Sequence, residues 1–393
     1  MRTFSLAGSR GSTRRCLRVA SLCGLMFAAS AGLSAHAADT HQTKLLPIQV
    51  ETVVSGLNHP WSLAFLPDGA MLVTERSGAL RLIVGNRLQK SKVAGVPQVW
   101  ARGQGGLLDV VLDPDFAENQ AIYLSYSEPT AQGGRTAVAR ARLVRDGSTA
   151  RLERLVTIFR MSNPTSSGRH FGSRLVFARD KTLFITVGER GRRERAQDPF
   201  DHAGSVIRIN RDGSTPADNP FADGKNGLPQ IWSIGHRNPQ GAALNPQTGA
   251  LWTVAHGAAG GDEINRPEAG RNYGWPIISY GVHYSGARIG VGTHKDGMEQ
   301  PLYYWDPSIA PSGMAFYTGD LISAWKGDLF IGALRGQILV RLRLDGDKVV
   351  AEERLLAGKY RRIRDVRQGP AGALWLLTDD RDGALLRITP NGS

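Results

Sequence analysis

Residues 63–74 read LAFLPDGAMLVT: a short apolar run, a Pro-Asp-Gly turn and a second apolar run. Two such runs around a turn are typical of paired β-strands. The pattern occurs six times, with turn centres 47 to 72 residues apart, near Pro67, Pro114, Ala178, Pro246, Thr318 and Pro370. A β-sandwich would also contain many short strands, but it does not predict a period. The repeats therefore predict an all-β fold, a six-bladed β-propeller with long rim loops.

The six repeats also end in a similar way. In each of them, charged or glycine-rich residues follow the second apolar run. These residues are Glu75 and Arg76, Glu128, Gly188 with Glu189 and Arg190, His256 and Gly257, Arg335 and Gly336, and Asp379 and Asp380. If the tails emerge on one face of a propeller, they converge at the mouth of its central channel, which is the usual place for a ligand in this architecture.

The first 37 residues have the pattern of an export signal. Five arginines precede an apolar run at 19–33, and residues 35–37 read AHA, a cleavage signal of small residues. A membrane anchor is the alternative, but a run of about 15 apolar residues is shorter than the roughly 20 that span a bilayer. We therefore predict a signal peptide cleaved after Ala37, a single propeller domain at 38–393, and a periplasmic or secreted protein.

Removal of this leader changes the cysteine count and the charge of the mature chain. Both cysteines, Cys16 and Cys23, lie in the leader, so the mature protein needs no disulfide in an oxidising compartment. The whole chain has a formal net charge of +13, and the leader holds five basic and no acidic residues, which leaves +8. Lysines and arginines are scattered rather than grouped in blocks, which argues against nucleic-acid binding. We also expect no membrane span.

Residues 234–275 combine several polar features within one repeat. Arg237 and Asn238 come first, then an apolar run, a Gly/Ala loop at 256–261, and the carboxylates Asp262 and Glu263. A strand that ends in a glycine-rich turn followed by carboxylates brings main-chain and carboxylate oxygens to one rim. Such hard oxygen ligands are those that Ca²⁺ prefers, so this stretch predicts a metal-assisted site.

An arginine cluster is predicted from several repeats. Arg362 and Arg364 are separated by one residue and precede the sixth pair of apolar runs. In a β-strand, side chains two positions apart project to the same side. With Arg237 and Arg335 they would form a receptor for a planar polyanion such as a multi-carboxylate, because guanidinium groups bind carboxylates through two parallel hydrogen bonds. A solvated basic face is the alternative that the residues alone leave open.

Two loops offer candidate reacting groups. His170 lies in SGRHFG at 167–172, and histidine is well suited to take a proton near neutral pH, although a lone loop histidine is also common on a surface. Gln104 lies in RGQGGL at 102–107, which lacks the lysine and helix of a phosphate-binding loop. Gln104 either binds a hydroxylated ligand or the glycines only permit a tight turn. His236 and His256 receive no assignment.

Seven motifs occur along the chain in this order: GLNHPWSLAFLPDG, GQGGLLDVVLDPDF, RHFGSRLVF, GHRNPQG, HGAAGGDEIN, NYGWP and RIRDV. Together they resemble the soluble quinoprotein sugar dehydrogenases, in particular the aldose sugar dehydrogenase branch of the glucose/sorbosone dehydrogenase family. They extend over about residues 53–388. The resemblance implies a six-bladed propeller that holds pyrroloquinoline quinone (PQQ) and Ca²⁺ over the channel mouth. It also implies oxidation of an aldose at C1 to the lactone, with hydride transfer to C5 of the quinone.

The resemblance also implies roles for individual residues. His170 matches the catalytic histidine that takes the proton of the anomeric hydroxyl, and Gln104 matches the glutamine beside the sugar hydroxyls at the cofactor. Cofactor-binding roles are implied for Gln104, Arg237, Asn238, Arg335, Arg362 and Arg364. Gly257 and Ala258 match the residues whose main-chain oxygens bind the active-site Ca²⁺, which polarises the C5 carbonyl. Glu263 and Tyr273 match ligands of a second, structural Ca²⁺.

Three positions depart from the family pattern. Glu189 stands where the family has an aspartate that orients the catalytic histidine, and one extra methylene moves a carboxylate by roughly 1 Å, a displacement that can cost on the order of 10²-fold in rate. Arg335 replaces a lysine, which keeps the charge but changes a point donor into a planar fork. Ala258 replaces a proline, which loosens the loop without removing the carbonyl oxygen.

Two other functional classes remain open from the sequence. A six-bladed Ca²⁺-dependent lactonase would share the scaffold and the metal, but its carboxylate-rich channel has no need of Arg362 and Arg364. A cofactor-free binding propeller would keep the blades and relax the site, as the residues at 189 and 258 allow. For the dehydrogenase we expect an aldose substrate, an unidentified electron acceptor, and a monomer or homodimer.

Overall fold

The chain forms six antiparallel sheets, and in five of them the strands are paired in the order in which the chain runs. They are seen in a computed structural model that describes residues 38–392, so the predicted leader at 1–37 lies outside the described residues. The described chain begins with β1 (Asp39–His41) and β2 (Ile48–Leu57), which join the last sheet. The N-terminal and C-terminal parts of the propeller are therefore held in one blade.

The first three blades contain four strands each. Blade 1 comprises β3 (Pro60–Phe65), β4 (Met71–Glu75), β5 (Ala79–Val84) and β6 (Arg87–Lys92). Blade 2 comprises β7 (Leu107–Leu112), β8 (Ala121–Thr130), β9 (Gly133–Asp146) and β10 (Thr149–Arg160). Blade 3 comprises β11 (Leu175–Phe177), β12 (Leu183–Thr186), β13 (Val206–Ile209) and β14 (Ile231–Ser233).

The other three blades complete the set. Blade 4 comprises β15 (Pro239–Leu244), β16 (Leu251–Ala255), β17 (Asp262–Asn265) and β18 (Tyr303–Trp305). Blade 5 comprises β19 (Pro311–Phe316), β20 (Leu329–Ala333), β21 (Leu339–Asp345) and β22 (Lys348–Leu355). Blade 6 comprises β23 (Ile363–Gln368), β24 (Leu374–Thr378) and β25 (Gly383–Pro390), followed in the sheet by β2 and β1.

The first strand of each blade lies beside the first strands of both neighbouring blades, and β23 contacts β3, so the ring is closed. This confirms the predicted six-bladed β-propeller. The turns between first and second strands are less uniform than their sequences suggest. The turn after β7 contains the helix α1 (Phe116–Asn119), and that after β19 contains a 3₁₀ helix (Ser323–Trp325). A further 3₁₀ helix (Arg193–Gln197) follows β12.

The hydrophobic core is divided among the gaps between blades. Each pair of adjacent blades encloses its own cluster of buried side chains, for example Leu72 and Leu124 between blades 1 and 2, and Phe330 and Leu376 between blades 5 and 6. Burying one such aliphatic side chain fully contributes about 1.5–3 kcal/mol relative to leaving it exposed. A blade therefore depends on both of its neighbours, which fixes the positions of the loops that they carry.

Buried charges join the innermost strands near the ring axis. The Arg174 guanidinium lies 3.1 Å from Asp109 Oδ1 and 3.2 Å from Asp365 Oδ1, with all three side chains at most 1% exposed. Arg367 binds the same two carboxylates at 2.9 Å each. These pairs connect blades 2, 3 and 6, and because a buried charge without its partner is strongly destabilising, they restrict how the blades are arranged.

Candidate functional site

A polar cavity of about 620 Å³ lies where the predicted tails of several blades meet. Arg76 follows β4, His256 follows β16, Leu334 follows β20, and Asp379 follows β24, and all four residues line it. The remaining lining residues are His59, Gln104, Gln240, Ala310, Arg362, Arg364, Asp380 and Arg381. Positions far apart in the sequence therefore share one open, mainly cationic cavity.

His170 and Glu189 form a buried pair beside this cavity. The His170 Nδ1 is hydrogen-bonded to Glu189 Oε1, and the two side chains are 11% and 3% exposed. The His170 main-chain N–H donates to Gln104 Oε1 at 2.8 Å, and Gln104 itself lines the cavity. Because a carboxylate can only accept, Nδ1 carries the hydrogen and the lone pair of Nε2 remains available. Among the residues that the structure describes, Glu189 Oε2 has no hydrogen-bond partner.

The charge state of His170 follows from its surroundings. Burial lowers the pKa of the imidazole; the hydrogen bond to Glu189 raises it in part, and the positive charge of Arg237 lowers it again. The net effect is a pKa below the ordinary value of histidine. His170 is therefore neutral at neutral pH, which is the state that a proton acceptor requires.

Gly188 fixes the main chain around this pair. A Cβ at position 188 would lie 2.1 Å from the His170 carbonyl oxygen and 2.9 Å from Asn238 Oδ1. That oxygen of Asn238 also accepts the Gly172 N–H at 3.1 Å. The glycine thus allows two loops to approach each other where they hold His170.

We predict that Gly188→Ala lowers the free energy of unfolding by about 1–3 kcal/mol, since overpacking displaces backbone that has nowhere to move. Activity should fall as well, because His170 moves with its carbonyl. Thermal unfolding and turnover are the measurements. Gly336→Ala is the matched control, because its Cβ would meet only side-chain carbons, at 3.3–3.4 Å. Unchanged unfolding and activity in Gly188→Ala would contradict the prediction.

Arg237 and Asn238 present buried donors that the protein does not use. Arg237 lies 5.2 Å from the centre of the Trp275 ring, and its Nη1 donates to the His256 carbonyl oxygen at 3.1 Å. Neither Arg237 Nε nor Asn238 Nδ2 has an acceptor within residues 38–392. A buried donor without an acceptor costs about 1–3 kcal/mol, so these groups are suited to an added ligand with oxygen acceptors.

Asp379 organises the arginine cluster. Its Oδ2 accepts from Arg364 at 2.9 Å and from Arg362 at 3.3 Å, and its Oδ1 lies 2.8 Å from His59 Nδ1. Arg364 is buried and also donates to Gln240 Oε1 at 2.7 Å. Both arginines thus lie on the same side, as their alternation predicts. Burial would raise the pKa of Asp379, but the charge of Arg364 and the His59 bond outweigh it and hold the pKa well below its usual range.

Arg335 differs from the other predicted arginines. It follows β20 next to the cavity-lining Leu334, and its main-chain N–H donates to the Ile309 carbonyl oxygen at 3.1 Å. Its side chain is exposed and is not part of the cavity wall. The structure therefore places Arg335 at the outer edge of the mouth.

The two carboxylates of the loop at 257–263, those of Asp262 and Glu263, have different surroundings. Asp262 is fully buried, and its carboxylate accepts the main-chain N–H groups of Gly257, Ile309 and Ala310 at 2.7–2.9 Å, together with the Ser308 hydroxyl. Asp262 therefore shapes the loop that contains the predicted carbonyl ligands Gly257 and Ala258, both buried.

Glu263 keeps more unused oxygen capacity than Asp262. Its Oε2 accepts from the Asn265 amide at 3.2 Å. Removal of its carboxylate from water raises its pKa to about 7, with a further contribution from the charge of Asp262. Tyr273 stacks on His236, and its hydroxyl bonds to the main chain of Arg266 and Glu268 rather than to Glu263. No cluster of three or more His, Cys, Asp or Glu that could hold a metal occurs at 38–392.

Several cavity residues have no role in the sequence-based prediction. His59, Gln240 and Arg381 have none, and Arg76 and Asp379 appear there only as members of charged tails. His256 also lines the cavity; burial, with the charges of Arg237 and Arg364, lowers its pKa to about 3, and its Nε2 lies 2.5 Å from the Pro311 carbonyl oxygen. His256 is therefore a neutral hydrogen-bond donor in the wall.

The sequence model of the glucose/sorbosone dehydrogenase family matches residues 57–387, nearly the whole described propeller. The chain belongs to this family. This confirms the resemblance that its motifs carry.

Relatives within the glucose/sorbosone dehydrogenase family match along most of their length. Aldose sugar dehydrogenase YliI of Escherichia coli K12 is 47% identical over 347 residues, which are 87% of this chain and 93% of the relative. The solved apo-form of the soluble aldose sugar dehydrogenase from Escherichia coli, also 47% identical, superposes with a TM-score of 0.84 and covers 88% of this chain and 100% of that one. A PQQ-bound aldose sugar dehydrogenase from Streptomyces coelicolor is 29% identical, with a TM-score of 0.70 and coverage of 87% and 98%.

This family member shows no helix within residues 38–392 with the length and apolar character that crossing a bilayer requires.

Proposed function

We propose that this chain is a PQQ-dependent aldose sugar dehydrogenase that oxidises aldoses at C1 to the lactone, with Ca²⁺ bound at the site. The observation that carries the proposal is the buried, neutral His170, oriented by Glu189 and adjacent to a cavity lined by arginines. The names of the Escherichia coli and Streptomyces coelicolor relatives support the same activity, and the PQQ-bound Streptomyces coelicolor structure supports the cofactor.

The residues of the cavity fit PQQ. The cofactor is flat and carries three carboxylates, and Arg362 and Arg364 offer guanidinium groups in the cavity wall. The unused donors Arg237 Nε, Asn238 Nδ2 and Arg364 Nε are buried groups for which ligand oxygens would be acceptors. Arg335 adds positive charge at the outer edge. When bound, PQQ supplies the quinone that accepts the two electrons of the sugar oxidation as hydride.

The protein's own part in the reaction is to orient a base and to exclude water. Glu189 holds the Nδ1–H of His170, so that Nε2 is the atom that takes the proton of the anomeric hydroxyl as C1 loses hydride. Gln104 fixes the His170 main chain at 2.8 Å and faces the cavity, where its remaining amide group can bind sugar hydroxyls. Close packing around His170 keeps it unprotonated.

The loop at 257–263 also fits a divalent cation. Asp262 holds the loop, and Glu263 has spare oxygen capacity and a pKa that burial raises, so a cation bound beside it would favour its ionised form. Main-chain oxygens of Gly257 and Ala258 would hold the active-site Ca²⁺, with Glu263 and Tyr273 at a second ion. The metal would supply a Lewis acid at the quinone oxygen.

Reconstitution tests the proposal. The purified chain is incubated with PQQ and Ca²⁺, and dye reduction is followed with several aldoses while NMR identifies the product. We expect aldose-dependent reduction and a lactone. Hydrolysis of added lactone without reduction would favour a Ca²⁺-dependent lactonase. No reduction and no bound quinone absorbance would favour a cofactor-free binding propeller.

The proposal includes export. The leader at 1–37 would be removed after Ala37, and the propeller at 38–393 would act in the periplasm or outside the cell as a monomer or homodimer with an unidentified electron acceptor. N-terminal sequencing of protein recovered from the periplasmic fraction tests this, and a mature chain that still begins at Met1 would contradict it.

We predict that Glu189→Gln lowers kcat by on the order of 10²-fold, since the imidazolium loses its charged partner and its fixed orientation. The hydrogen bond to Glu189 raises the pKa of His170, so its removal lowers this pKa further. A base works only when unprotonated, so the acidic limb of the pH–rate profile should move to lower pH. An acidic limb that stays in place or moves upward would contradict the assignment. Glu128→Gln, in a surface pair with Arg135 and Arg160, is the control.

A further inference from the structure

A second histidine–carboxylate pair lines the cavity. His59 lies between β2 and β3; its main-chain N–H donates to the Asp380 carbonyl oxygen at 2.7 Å, and its own carbonyl accepts from Arg76 N–H at 3.1 Å. Its φ of 45° is in the left-handed region, where histidine is tolerated better than most residues. The backbone of His59 is thus fixed between the tails of blades 6 and 1.

The His59 side chain is oriented towards the space where an anion would bind. Its Nδ1 lies 2.8 Å from Asp379 Oδ1, and the side chain is 31% exposed. Asp379 is ionised, because Arg364 and His59 hold its pKa well below the usual range against the effect of burial. Nδ1 therefore carries the hydrogen, and Nε2, which has no partner among residues 38–392, is free to accept a proton.

The charges around His59 come from four segments of the chain. The groups that face it are Glu75 and Arg76 at the end of β4, His256 after β16, Arg362 and Arg364 at β23, and Asp379, Asp380 and Arg381 after β24. Glu75 is itself paired with Arg81 at 3.1 Å. Carboxylates of a bound ligand would add negative charge beside the His59 ring and favour its protonated form.

We propose that His59 takes up a proton when a planar polycarboxylate binds in this cavity, so that the His59–Asp379 pair becomes part of the anion receptor. The inference rests on the proposed function for the nature of the ligand, and it adds a receptor residue and a pH dependence of cofactor binding. It is separate from proton transfer at His170, which concerns turnover.

The sign of the pH dependence follows from linkage. Because the bound state holds one proton more, affinity is highest at low pH and falls as pH rises, by up to about tenfold per pH unit where uptake is complete. The measurement covers about pH 5 to 8, the range in which histidine side chains ordinarily change charge.

Calorimetry of the apo-protein with PQQ, in buffers of different ionisation enthalpy, measures the proton uptake directly. The test variant is His59→Asn, because asparagine also tolerates a left-handed backbone and does not titrate. Wild type should take up close to one proton more than His59→Asn over part of the range, and its affinity should fall about tenfold more between pH 6 and 8. His294→Asn, whose side chain is 67% exposed, is the control and should match wild type.

The outcomes separate this inference from the proposed function. PQQ binding with equal proton uptake in wild type and His59→Asn overturns the inference and leaves the function intact. Absence of PQQ binding by folded wild-type protein overturns both. If His59→Asn does not fold, NMR of the wild-type histidine rings decides: we expect the His59 titration midpoint to rise on PQQ binding, and an unchanged midpoint overturns the inference.

Discussion

His170→Ala is expected to lower kcat by about 10³-fold while PQQ binding changes little, because positioned general-base catalysis typically contributes 10²–10⁴-fold. Its Nε2 is the neutral acceptor that the Glu189 pair leaves free, and the two imidazoles that line the cavity within residues 38–392 have different settings. His256 donates to the Pro311 carbonyl oxygen, and His59 is bonded to Asp379 in the arginine cluster. Stopped-flow kinetics and a PQQ titration measure the two effects separately.

The variant should remain folded, because His170 contacts Gln104 through its main chain, which alanine retains. The φ of 53° at this position strains an alanine slightly, so His170→Asn is a second variant that tolerates this backbone. His294→Ala serves as the surface control. Wild-type turnover in His170→Ala would remove this residue from the role of base.

The double variant Arg362→Ala with Arg364→Ala is expected to weaken PQQ binding by on the order of 10²-fold or more. A hydrogen bond to a charged group contributes about 1.5–3 kcal/mol, and about 1.4 kcal/mol corresponds to a factor of ten in affinity. Ca²⁺ binding should change far less, because the loop at 257–263 is held by Asp262 rather than by either arginine. Quinone absorbance and calorimetry with each ligand alone measure the two affinities.

Loss of both guanidiniums also leaves Asp379 with fewer partners, so the unfolding temperature must be measured in parallel. Arg361→Ala is the matched control, because Arg361 is the neighbouring residue, 75% exposed, and pairs with Asp380 at the surface. Equal loss of PQQ and Ca²⁺ binding would indicate a misfolded propeller and would contradict a specific cofactor role for the two arginines.

The fold could be predicted because each blade repeats the same local pattern. The hairpin in which Leu63 pairs with Val73 is formed by residues that are close together in the sequence, and the same holds for its five counterparts. The closure of the ring was not predictable in this way. In blade 6, Val50 pairs with Ile388, a contact between opposite ends of the chain that no local pattern marks. The helix inside the turn after β7 was also missed, since Pro114 and Asp115 suit a plain turn equally well.

The candidate site was predicted in part. The residue motifs singled out His170, Glu189, Gln104 and the paired arginines. The structure places Gln104, Arg362 and Arg364 in the cavity wall, and the His170–Glu189 pair next to Gln104. The motifs were less informative where roles depend on which loops meet. Asp262, which resembles a metal ligand in sequence, uses its carboxylate for main-chain N–H groups.

His59 illustrates the same limit. It lies in the GLNHP motif at 56–60, yet only the fold places its Nδ1 2.8 Å from Asp379 Oδ1, more than three hundred positions away in the sequence. A polar residue next to proline at the start of a blade, together with the rule that tails converge at one face, is the signal that would have drawn attention to it.

Anaerobic single turnover tests the central claim most directly. Apo-protein is loaded with one equivalent of PQQ in the presence of Ca²⁺, mixed with an aldose and no other acceptor, and followed by the absorbance of the bound quinone. We predict complete reduction with one lactone formed per PQQ, and none with His170→Ala on the same time scale. A folded, PQQ-loaded wild-type protein whose quinone stays oxidised with every aldose offered would contradict it.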